Sequence, residues 1–442
     1  MLRSGTWIVA AALWLSAPGA HAQPSEGSAQ ETDLDERLRG EARLELITQY
    51  AIARSPMLAE SSARSRAAVE RASAAGRLPD LELKYEQWAV PLTRPYDLKQ
   101  ANPLMFGLRQ AFPAAGTRQA RAQMVAADAE IAGQQRRATE RDLLRRLRKA
   151  YFEYYAADQA LKLYEQHVGI TEQMLAQLRA SYEVGRGKQQ DLLKALVELA
   201  RLHNDIADGS EQRDSRRFLL NTLMGRATAA PLGPPVVGSS GSTPSIRAKE
   251  LELQLAERRP EVSAARSVTR RSQAAAEGAR HAARRPAFMV GADYWLTPAL
   301  SQPSSYGAMV TMSLPWLNPE HRAQARAAEQ DVRADRYAAD TAQKLASLEL
   351  HQAVAGLAAA KASLEILERE LLPQAEQSLQ ATQSSFSVGQ SDLLSLLDSM
   401  RSFFQVRLEH SRAYARVMSQ LADVEFASGV DLFNTSPPEP QP

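Results

Sequence analysis

The sequence predicts a mainly α-helical chain with a small β part, built from one structural unit that is used twice. Its 442 residues are 24% charged and only 6% aromatic, a mixture that favours long helices with narrow packing interfaces over a thick globular core. Proline is absent between Pro113 and Pro231. The segment 181–197 is similar in sequence to the segment 385–401, 204 positions later. A repeat of this length indicates two tandem halves rather than a solenoid of many short units.

The similarity centres on a Val-Gly pair, Val184-Gly185 in the first copy and Val388-Gly389 in the second. In each copy one helical pattern ends at this pair and another begins after it. Glycine adopts the positive φ that reverses a chain after a helix, so the pairs predict turns between antiparallel helices. The two turns are the first tip, residues 184–188, and the second tip, residues 388–391.

The beginning of the chain has the pattern of a secretory signal. An apolar run from Trp7 to Leu15 precedes a small-x-small cleavage site at 20–22. We therefore expect residues 1–22 to be removed and the protein to be exported. No segment reaches the roughly 20 apolar residues that a spanning helix needs. Because the sequence has no cysteine, disulfides, thiolate metal sites and a lipid-anchored N-terminal Cys are excluded.

The first repeat is predicted to span 23–226. A helical, Ala- and Ser-rich pattern comes first, and apolar and polar residues then alternate over a hairpin at 81–112. A long helix follows to the first tip, about 100 Å long at 1.5 Å per residue, and a second helix returns to about Met224. The alternation in the hairpin is typical of a barrel strand with lipid outside, and equally of a half-buried strand in a soluble protein.

The second repeat is predicted to span 246–432 with the same order of elements. Its hairpin falls at 287–314, and a long helix again leads to a tip and a returning helix. The linker 227–245, rich in Pro, Gly and Ser, is predicted to hold neither helix nor strand. The Pro-rich tail 433–442 is predicted to be disordered.

One further match lies on the long helices, where Gly169 of the first repeat aligns with Pro373 of the second. Both residue types weaken a helix. The match predicts a built-in bend above each tip. The alternative is a coincidence without structural consequence.

Four strands per chain cannot close a barrel, so the pattern predicts an oligomer. Two chains would give eight strands, whose interior side chains fill, whereas three give twelve strands and leave room for solvent. A trimer is therefore the smallest assembly with an open lumen. Helices that continue from such a barrel would form a tube about 100 Å long.

The sequence has no motif typical of catalysis, nucleotide binding or metal binding. Gly185-Arg186-Gly187-Lys188 lacks the spacing of a phosphate loop, and the histidines form no HExxH or i,i+4 pair. A basic cluster at 141–149 is more typical of a solvated helix face than of a nucleic-acid footprint, and the net charge is only +2. We expect no enzyme activity, no cofactor, no metal site and no nucleic-acid partner.

Three motifs together resemble the TolC family of bacterial outer-membrane efflux ducts, and the resemblance covers nearly the whole mature chain. The third of them is most similar to the heavy-metal-efflux branch, the CzcC/CusC type. The motifs are Tyr182-x-x-Gly185 with Asp191-Leu192-Leu193, Phe386-x-x-Gly389 with Leu396-Leu397-Asp398, and Phe112-Pro113-x-x-Gly116.

The resemblance implies a homotrimer with a twelve-stranded β-barrel in outer-membrane lipid and a periplasmic α-helical barrel. It also implies a periplasmic membrane-fusion adaptor that docks at the tips, and an inner-membrane RND pump as the third component. The alternative for the tip glycines is that they only turn the chain. The implied docking residues are Val184, Gly185, Arg186, Val388, Gly389 and Gln390.

A periplasmic gate is implied as well, because the narrowed tip of TolC carries acidic residues and an inter-helix link. This chain keeps Asp191 and Asp398, but it has Phe386 where a tyrosine would make the link, Ser391 for an arginine and Ser395 for an aspartate. Its gate must therefore differ. Three Asp398 carboxylates in a ring would favour cations, and the alternative is a solvated helix residue.

The functional expectation is a passive conduit of a tripartite efflux system that exports heavy-metal cations. Drug export and type I protein secretion are the alternatives within the same class. A soluble periplasmic coiled-coil adaptor or scaffold is the alternative of another class, since it would share the export signal and the long helices.

Overall fold

A computed structural model describes residues 34–88, 92–93, 103–237, 248–297 and 303–433. The predicted signal peptide and the tail beyond Phe433 lie outside the described residues. Helices make up most of the described chain, and both repeats have a helix, a β-hairpin, a long helix and a returning helix in the same order. The first repeat contains α1 (34–40), β1 (Ala42–Arg43), α2 (Leu44–Arg54), α3 (Pro56–Ala74), β2 (Glu82–Gln87), β3 (Leu104–Phe112), α4 (Thr117–Glu183) and α5 (Gln189–Met224).

The second repeat follows a short strand, β4, in the linker. Its long helix is divided, because a π-helical turn separates α9 from α10. The elements are β4 (Pro235–Val236), α6 (Ala248–Glu252), α7 (Leu255–Arg258), α8 (Pro260–Arg284), β5 (Phe288–Leu296), β6 (Ser305–Met312), a 3₁₀ turn (Pro315–Leu317), α9 (Pro319–Ile366), the π turn (Leu367–Leu371), α10 (Leu372–Ser387) and α11 (Leu393–Ser428).

The 67-residue α4 confirms the prediction of a very long helix. It begins after Gly116, whose φ of +89° turns the chain out of β3, and Thr117 Oγ1 donates to the Ala114 carbonyl at 2.6 Å. It ends where Gly185 reverses the chain. At 1.5 Å per residue, α4 is about 100 Å long. Among the described helices, none combines the length and the apolar character needed to cross a membrane.

The two hairpins form one four-stranded antiparallel sheet in the order β2-β3-β5-β6. The central pair, β3 with β5, joins the two repeats, and Phe106 lies opposite Tyr294 in its register. The described part of β2 has six residues and β3 has nine. The outer strands β2 and β6 each have one edge that no described strand of this chain pairs.

The prediction that the linker holds no regular structure is wrong at one point. Strand β4 pairs in parallel with β1, so that Ala42 lies opposite Pro235. The hydroxyl of buried Tyr151 donates to the carbonyls of Ala42 (3.0 Å) and Val236 (2.7 Å), and burial raises the pKa of this hydroxyl. The linker is ordered here because its backbone groups find partners in a distant segment.

The tail prediction is also wrong for its first residue. Phe433 stacks on Phe152 with 6.2 Å between ring centroids, and the Arg148 guanidinium lies 4.4 Å from the Phe433 centroid. Phe152 belongs to the apolar core around α2, the middle of α4 and the end of α5. The chain is therefore held to this core as far as Phe433.

The two predicted bend positions differ in the structure. The π turn Leu367–Leu371 lies directly before Pro373, as expected where a residue lacks its N–H and its ring crowds the preceding turn. The α-helix runs without a break through Gly169, because glycine keeps its N–H. A bend at Gly169 stays a prediction.

Candidate functional site

Both tips lie at one end of the molecule, over a single apolar core. Met174 of α4, Ala195 of α5 and Leu397 of α11 are buried in it, and Phe386 of α10 packs against it. Helices from both repeats therefore meet between the tips. Phe386 is half-buried, and its apolar ring packs against this core.

The first tip is a Schellman turn. The Arg186 N–H donates to the Ser181 carbonyl and the Gly185 N–H donates to the Tyr182 carbonyl, both at 2.9 Å. Gly185 has a φ of +72°. These bonds satisfy carbonyls at the end of α4 that would otherwise lack partners.

The second tip repeats the same two bonds. The Gln390 N–H donates to the Ser385 carbonyl at 2.8 Å, and the Gly389 N–H donates to the Phe386 carbonyl at 3.1 Å. Gly389 has a φ of +76°. The match in sequence between the two copies is therefore a match in backbone hydrogen bonding.

The tip glycines are required by backbone conformation and not by lack of space. A Cβ at Gly185 or Gly389 would meet nothing within 4 Å, but the positive φ strains any L side chain. The valines before them, Val184 and Val388, are both 68% exposed. Each tip thus presents an apolar side chain to solvent on a fixed turn.

The segments after the two turns differ. In the second tip, the Asp392 carboxylate accepts from the Ser395 N–H (3.0 Å) and hydroxyl (2.6 Å), which begins α11 with a side-chain cap. These bonds lower the pKa of Asp392. In the first tip, Lys188 gives α5 no side-chain cap, and Gly187 lies so close to the preceding helix that a Cβ would be 2.8 Å from the Tyr182 nitrogen.

The predicted gate residues are near the tips but are not connected to one another. Asp191 and Ser391 are half-buried, and Asp398 is exposed. Within the described ranges, the side chains of these three residues form no hydrogen bond or ion pair. Ser395 is held by Asp392, a residue that the sequence reasoning passed over although Asp392-x-x-Ser395 has the spacing of a helix cap.

An ion pair above the tips joins the two repeats. Arg401 of α11 donates through Nε (2.9 Å) and Nη2 to the carboxylate of Glu198 on α5, which is almost fully buried. The hydrogen bond from Arg401 is the main reason that the pKa of Glu198 is lowered. No sequence signal could pair these residues, because they lie in different repeats.

His167 of α4 lies beside this pair. Its ring stacks on Phe404 with 4.1 Å between centroids, and its Nε2 is buried without a hydrogen-bond partner. The pKa of His167 is lowered to about 4, mainly by burial; the charge of Glu198 opposes the shift and that of Arg401 adds to it. His167 is therefore a neutral core residue at pH 7.

At the opposite end, one face of the sheet exposes apolar side chains. Leu83 is 78% exposed, Val310 69% and Tyr306 89%. An aromatic row crosses all four strands on this face. The row consists of Tyr85, Phe106, Tyr294 and Tyr306.

The other face of the sheet is polar and more tightly packed. The carboxylate of Asp293 fills the space that a side chain at Gly107 would need, and Trp295 covers Gly307 in the same way. Asp293 Oδ1 lies 3.9 Å from Arg109 Nη2. The sheet is therefore apolar outward and charged inward, the reverse of a soluble sheet that buries its apolar face.

The described ranges contain no group of three or more His, Asp or Glu side chains that could hold a metal ion. The tips and the sheet both present exposed apolar side chains in a fixed arrangement. A sheet of this kind at one end of long helical hairpins defines a membrane-embedded protein with a helical extension.

The chain belongs to the outer membrane efflux protein family, whose model matches residues 47–226 and 252–430. The two matched segments correspond to the two structural repeats. Membership places the protein in the outer membrane and in an efflux family rather than an enzyme family. Family membership therefore excludes the alternative of a soluble periplasmic adaptor or scaffold.

Solved structures agree with this assignment at the level of the fold. The chain is similar to CusC (17% identity, TM-score 0.75, covering 88% of this chain and 92% of that one). It is also similar to the MtrE outer membrane channel of Neisseria gonorrhoeae (19%, 0.74, 88% and 89%) and to the CmeC outer membrane channel of Campylobacter jejuni (10%, 0.74, 94% and 94%). No curated protein sequence matches the chain significantly.

Proposed function

We propose that three copies of this chain form a passive outer-membrane conduit of a tripartite efflux system. The observation that carries the proposal is the four-stranded sheet with an exposed apolar face, in which β2 and β6 each have an edge that no described strand of the chain pairs. Pairing the free edge of β2 with β6 of the next copy would remove both edges. Three copies supply twelve strands, with lipid outside and the charged face around a solvent-filled lumen.

The helices support the same arrangement. Near the sheet, helices pack in the order α3, α4, α8 and α9, and farther from it α5 packs on α4, α4 on α11 and α11 on α9 and α10. The described helices of each chain thus form a layer whose outermost helices pack on one side only. Three layers side by side would form a helical tube about 100 Å long in the periplasm.

At the far end of this tube, the tips are the proposed docking site for a periplasmic membrane-fusion adaptor, which connects the conduit to an inner-membrane RND pump. Val184 and Val388 supply exposed apolar contacts, and the Schellman turns fix them in place. Arg186 and Gln390, next in sequence, supply polar contacts. A preformed turn loses little conformational freedom when it binds.

We propose that Asp191, Ser391 and Asp398 line the narrowest part of the lumen at its periplasmic end and form the gate. Phe386 and Ser395 belong to the same gate and hold the helices that carry it. Phe386 packs in the core between the tips and Ser395 is held by Asp392. Gly169 and Pro373 would let the helices above the tips change their curvature. An Asp398 from each of three chains would favour cations at the mouth.

Heavy-metal cations are the proposed cargo, on the strength of the Phe112-Pro113-x-x-Gly116 motif and its resemblance to the CzcC/CusC branch. Drugs and secreted proteins are the competing classes. Deletion of the gene, complemented by the wild-type chain, tests the choice. If the deletion strain is sensitive to divalent or monovalent heavy metals but not to detergents and dyes, the cargo is heavy-metal cations. Sensitivity to detergents and dyes without sensitivity to metals would identify drugs as the cargo.

Extraction and electrophoresis test the conduit itself. The protein should require detergent for release and migrate as a trimer until it is heated. Replacing Tyr306 by Lys, which puts a charge on the exposed apolar face of β6, should reduce insertion, whereas Lys at Thr311, an exposed position on the opposite face of the same strand, should be tolerated better. Release by osmotic shock alone would contradict the proposal.

A further inference from the structure

An arginine-lined groove lies between α3 and α4, directly below the sheet. Its volume is about 1310 Å³, and it is bounded by the α3–β2 connection and by Pro113 at the end of β3. The groove is large enough for a polar head group, since small-molecule sites measure about 300–1,000 Å³. Its five arginines are Arg64, Arg71, Arg77, Arg118 and Arg121.

Three of these arginines have no partner in the described part of the chain. Arg118 donates to the Gly76 carbonyl at 2.9 Å and Arg64 pairs with Glu60 at 2.5 Å. The side chains of Arg71, Arg77 and Arg121 form no hydrogen bond or ion pair there. The groove therefore holds three guanidinium groups whose donors are free.

The groove has few negative charges to balance them. Two carboxylates line it, Asp80 and Asp128, and Asp128 is already paired with Arg271 at 2.6 Å. The N-terminal turn of the 67-residue α4 also borders the groove and adds partial positive charge. Because positive charges outnumber negative charges in the groove, its electrostatic field attracts an anion.

The apolar face of the sheet begins at the same place. Leu78 lines the groove and is exposed, Leu81 is 60% exposed three residues later, and Phe112 is exposed at the lower end of β3. A ligand that fits both features has an anionic head and apolar chains. A phospholipid of the periplasmic leaflet has that chemistry.

The three arginines without a described partner do not recur in the second repeat. At the positions 204 residues after Arg71, Arg77 and Arg121 it has Ala275, His281 and Ala325. These three arginines are therefore specific to the first repeat, in the place where the helices leave the membrane.

We propose that this groove binds the phosphate head group of an anionic phospholipid and holds the first repeat against the periplasmic leaflet. Guanidinium groups bind phosphate through paired N–H donors, and basic pockets at a membrane surface recognise anionic head groups. The inference rests on the proposed function for one element, the lipid-facing sheet.

Native mass spectrometry of the delipidated full-length trimer tests the inference, with dioleoylphosphatidylglycerol as the probe and dioleoylphosphatidylcholine as the neutral comparison. The triple variant R71Q/R77Q/R121Q should bind the anionic lipid about a hundredfold more weakly than the wild type. The control R179Q/R333Q/R336Q removes three exposed arginines elsewhere and should bind like the wild type. If the triple variant fails to fold, the single variants R71Q and R121Q should each show a smaller loss.

Other outcomes separate the sources of phosphate and the two proposals. Displacement of the lipid by an equal concentration of glycerophosphoglycerol would assign a free anion and overturn the lipid. Unchanged lipid binding with a weakened trimer would assign the arginines to the contact between copies and overturn it too. A chain that inserts but binds no lipid contradicts this inference alone, whereas a chain that never inserts contradicts the proposed function.

Discussion

The two tips have the same backbone and different surroundings. Both end a helix with identical Schellman hydrogen bonds, and both expose a valine to the same extent. After the turn, however, Asp392 caps α11, whereas Lys188 leaves α5 without a side-chain cap. The two copies therefore share the residues that form the turn and differ in the residues that follow it, which lie beside the proposed adaptor contact.

The two copies share the turn and differ in charge. The glycine and its hydrogen bonds hold the reversal of the chain in both copies. The first tip has Arg186 and Lys188, and the positions 204 residues later are Gln390 and Asp392. An adaptor that contacts both tips would therefore meet two basic side chains at the first tip and a carboxylate beside the second.

The helices above the tips differ in the same way. His167 is buried on α4, while the position 204 residues later is Leu371, exposed at the end of the π turn. The first repeat thus places a titratable group in its core where the second has an irregular turn. Substitutions can separate what the copies share from what they do not.

The largest effect is expected from the shared valines. Replacing Val184 and Val388 together by Asp should weaken adaptor binding about a thousandfold, because two central contacts of about 2 kcal/mol each would be lost. Binding of the purified adaptor to immobilised trimers measures this. The control Gln173→Asp adds a charge at an exposed site on α4 and should leave binding intact. Unchanged binding by the double variant would mean that the glycines only turn the chain.

The next effect concerns His167 alone. Its pKa in the folded protein is about 4, below its ordinary value of about 6.5, so the unfolded chain takes up a proton first as pH falls. The stabilisation is complete above pH 6.5 and declines towards pH 4, by about 3 kcal/mol. Guanidinium unfolding midpoints at several pH values measure the decline.

His167→Gln should flatten this part of the pH dependence, because glutamine does not titrate. The matched change Leu371→Gln, at the corresponding position of the second repeat, should leave the wild-type dependence in place. An equally steep decline in His167→Gln would assign the effect to other groups.

A smaller effect is expected at the tip glycines. Gly185→Ala forces an L residue into a φ of +72° and should cost about 1–2 kcal/mol. The same change at Gly133, in the interior of α4 with open space around it, should stabilise the protein by up to about 1 kcal/mol. Thermal unfolding of the two variants should therefore shift in opposite directions. A shift in the same direction would show that the turn is not the reason for Gly185.

The smallest effect on stability is expected at the residues directly before α5 and α11, of which only Asp392 provides a side-chain cap. Asp392→Ala removes a side-chain cap and should cost about 1 kcal/mol. Lys188→Ala removes no cap bond and should change stability by a few tenths of a kcal/mol at most. Equal losses in thermal unfolding would contradict the difference between the tips.

Much of this architecture follows from local patterns in the sequence. The Val-Gly pairs predicted the turns, the alternation predicted the hairpins, and the absence of proline predicted α4, because each depends on residues that are neighbours in the chain. The pairing of β4 with β1 and the ion pair between Glu198 and Arg401 depend on distant residues. No local pattern specifies such partners, so they could not be predicted.

The tips show the same limit on a smaller scale. The turn conformation was predictable from glycine, but the burial of His167 depends on Phe404 of another repeat. The Asp392 cap had a local signal in its spacing to Ser395. The roles of the gate residues stay predictions, because they depend on neighbouring copies of the chain.

Site-specific photo-crosslinking in living cells tests the central claim most directly, because that claim places the tips at the adaptor and the sheet in the membrane. A photoreactive residue at 184 or at 388 should crosslink to a periplasmic membrane-fusion adaptor, identified by its peptides. The same residue at 306, on the outer face of β6, should crosslink to lipid and not to the adaptor. Adaptor crosslinks from 306 and none from either tip would contradict the account.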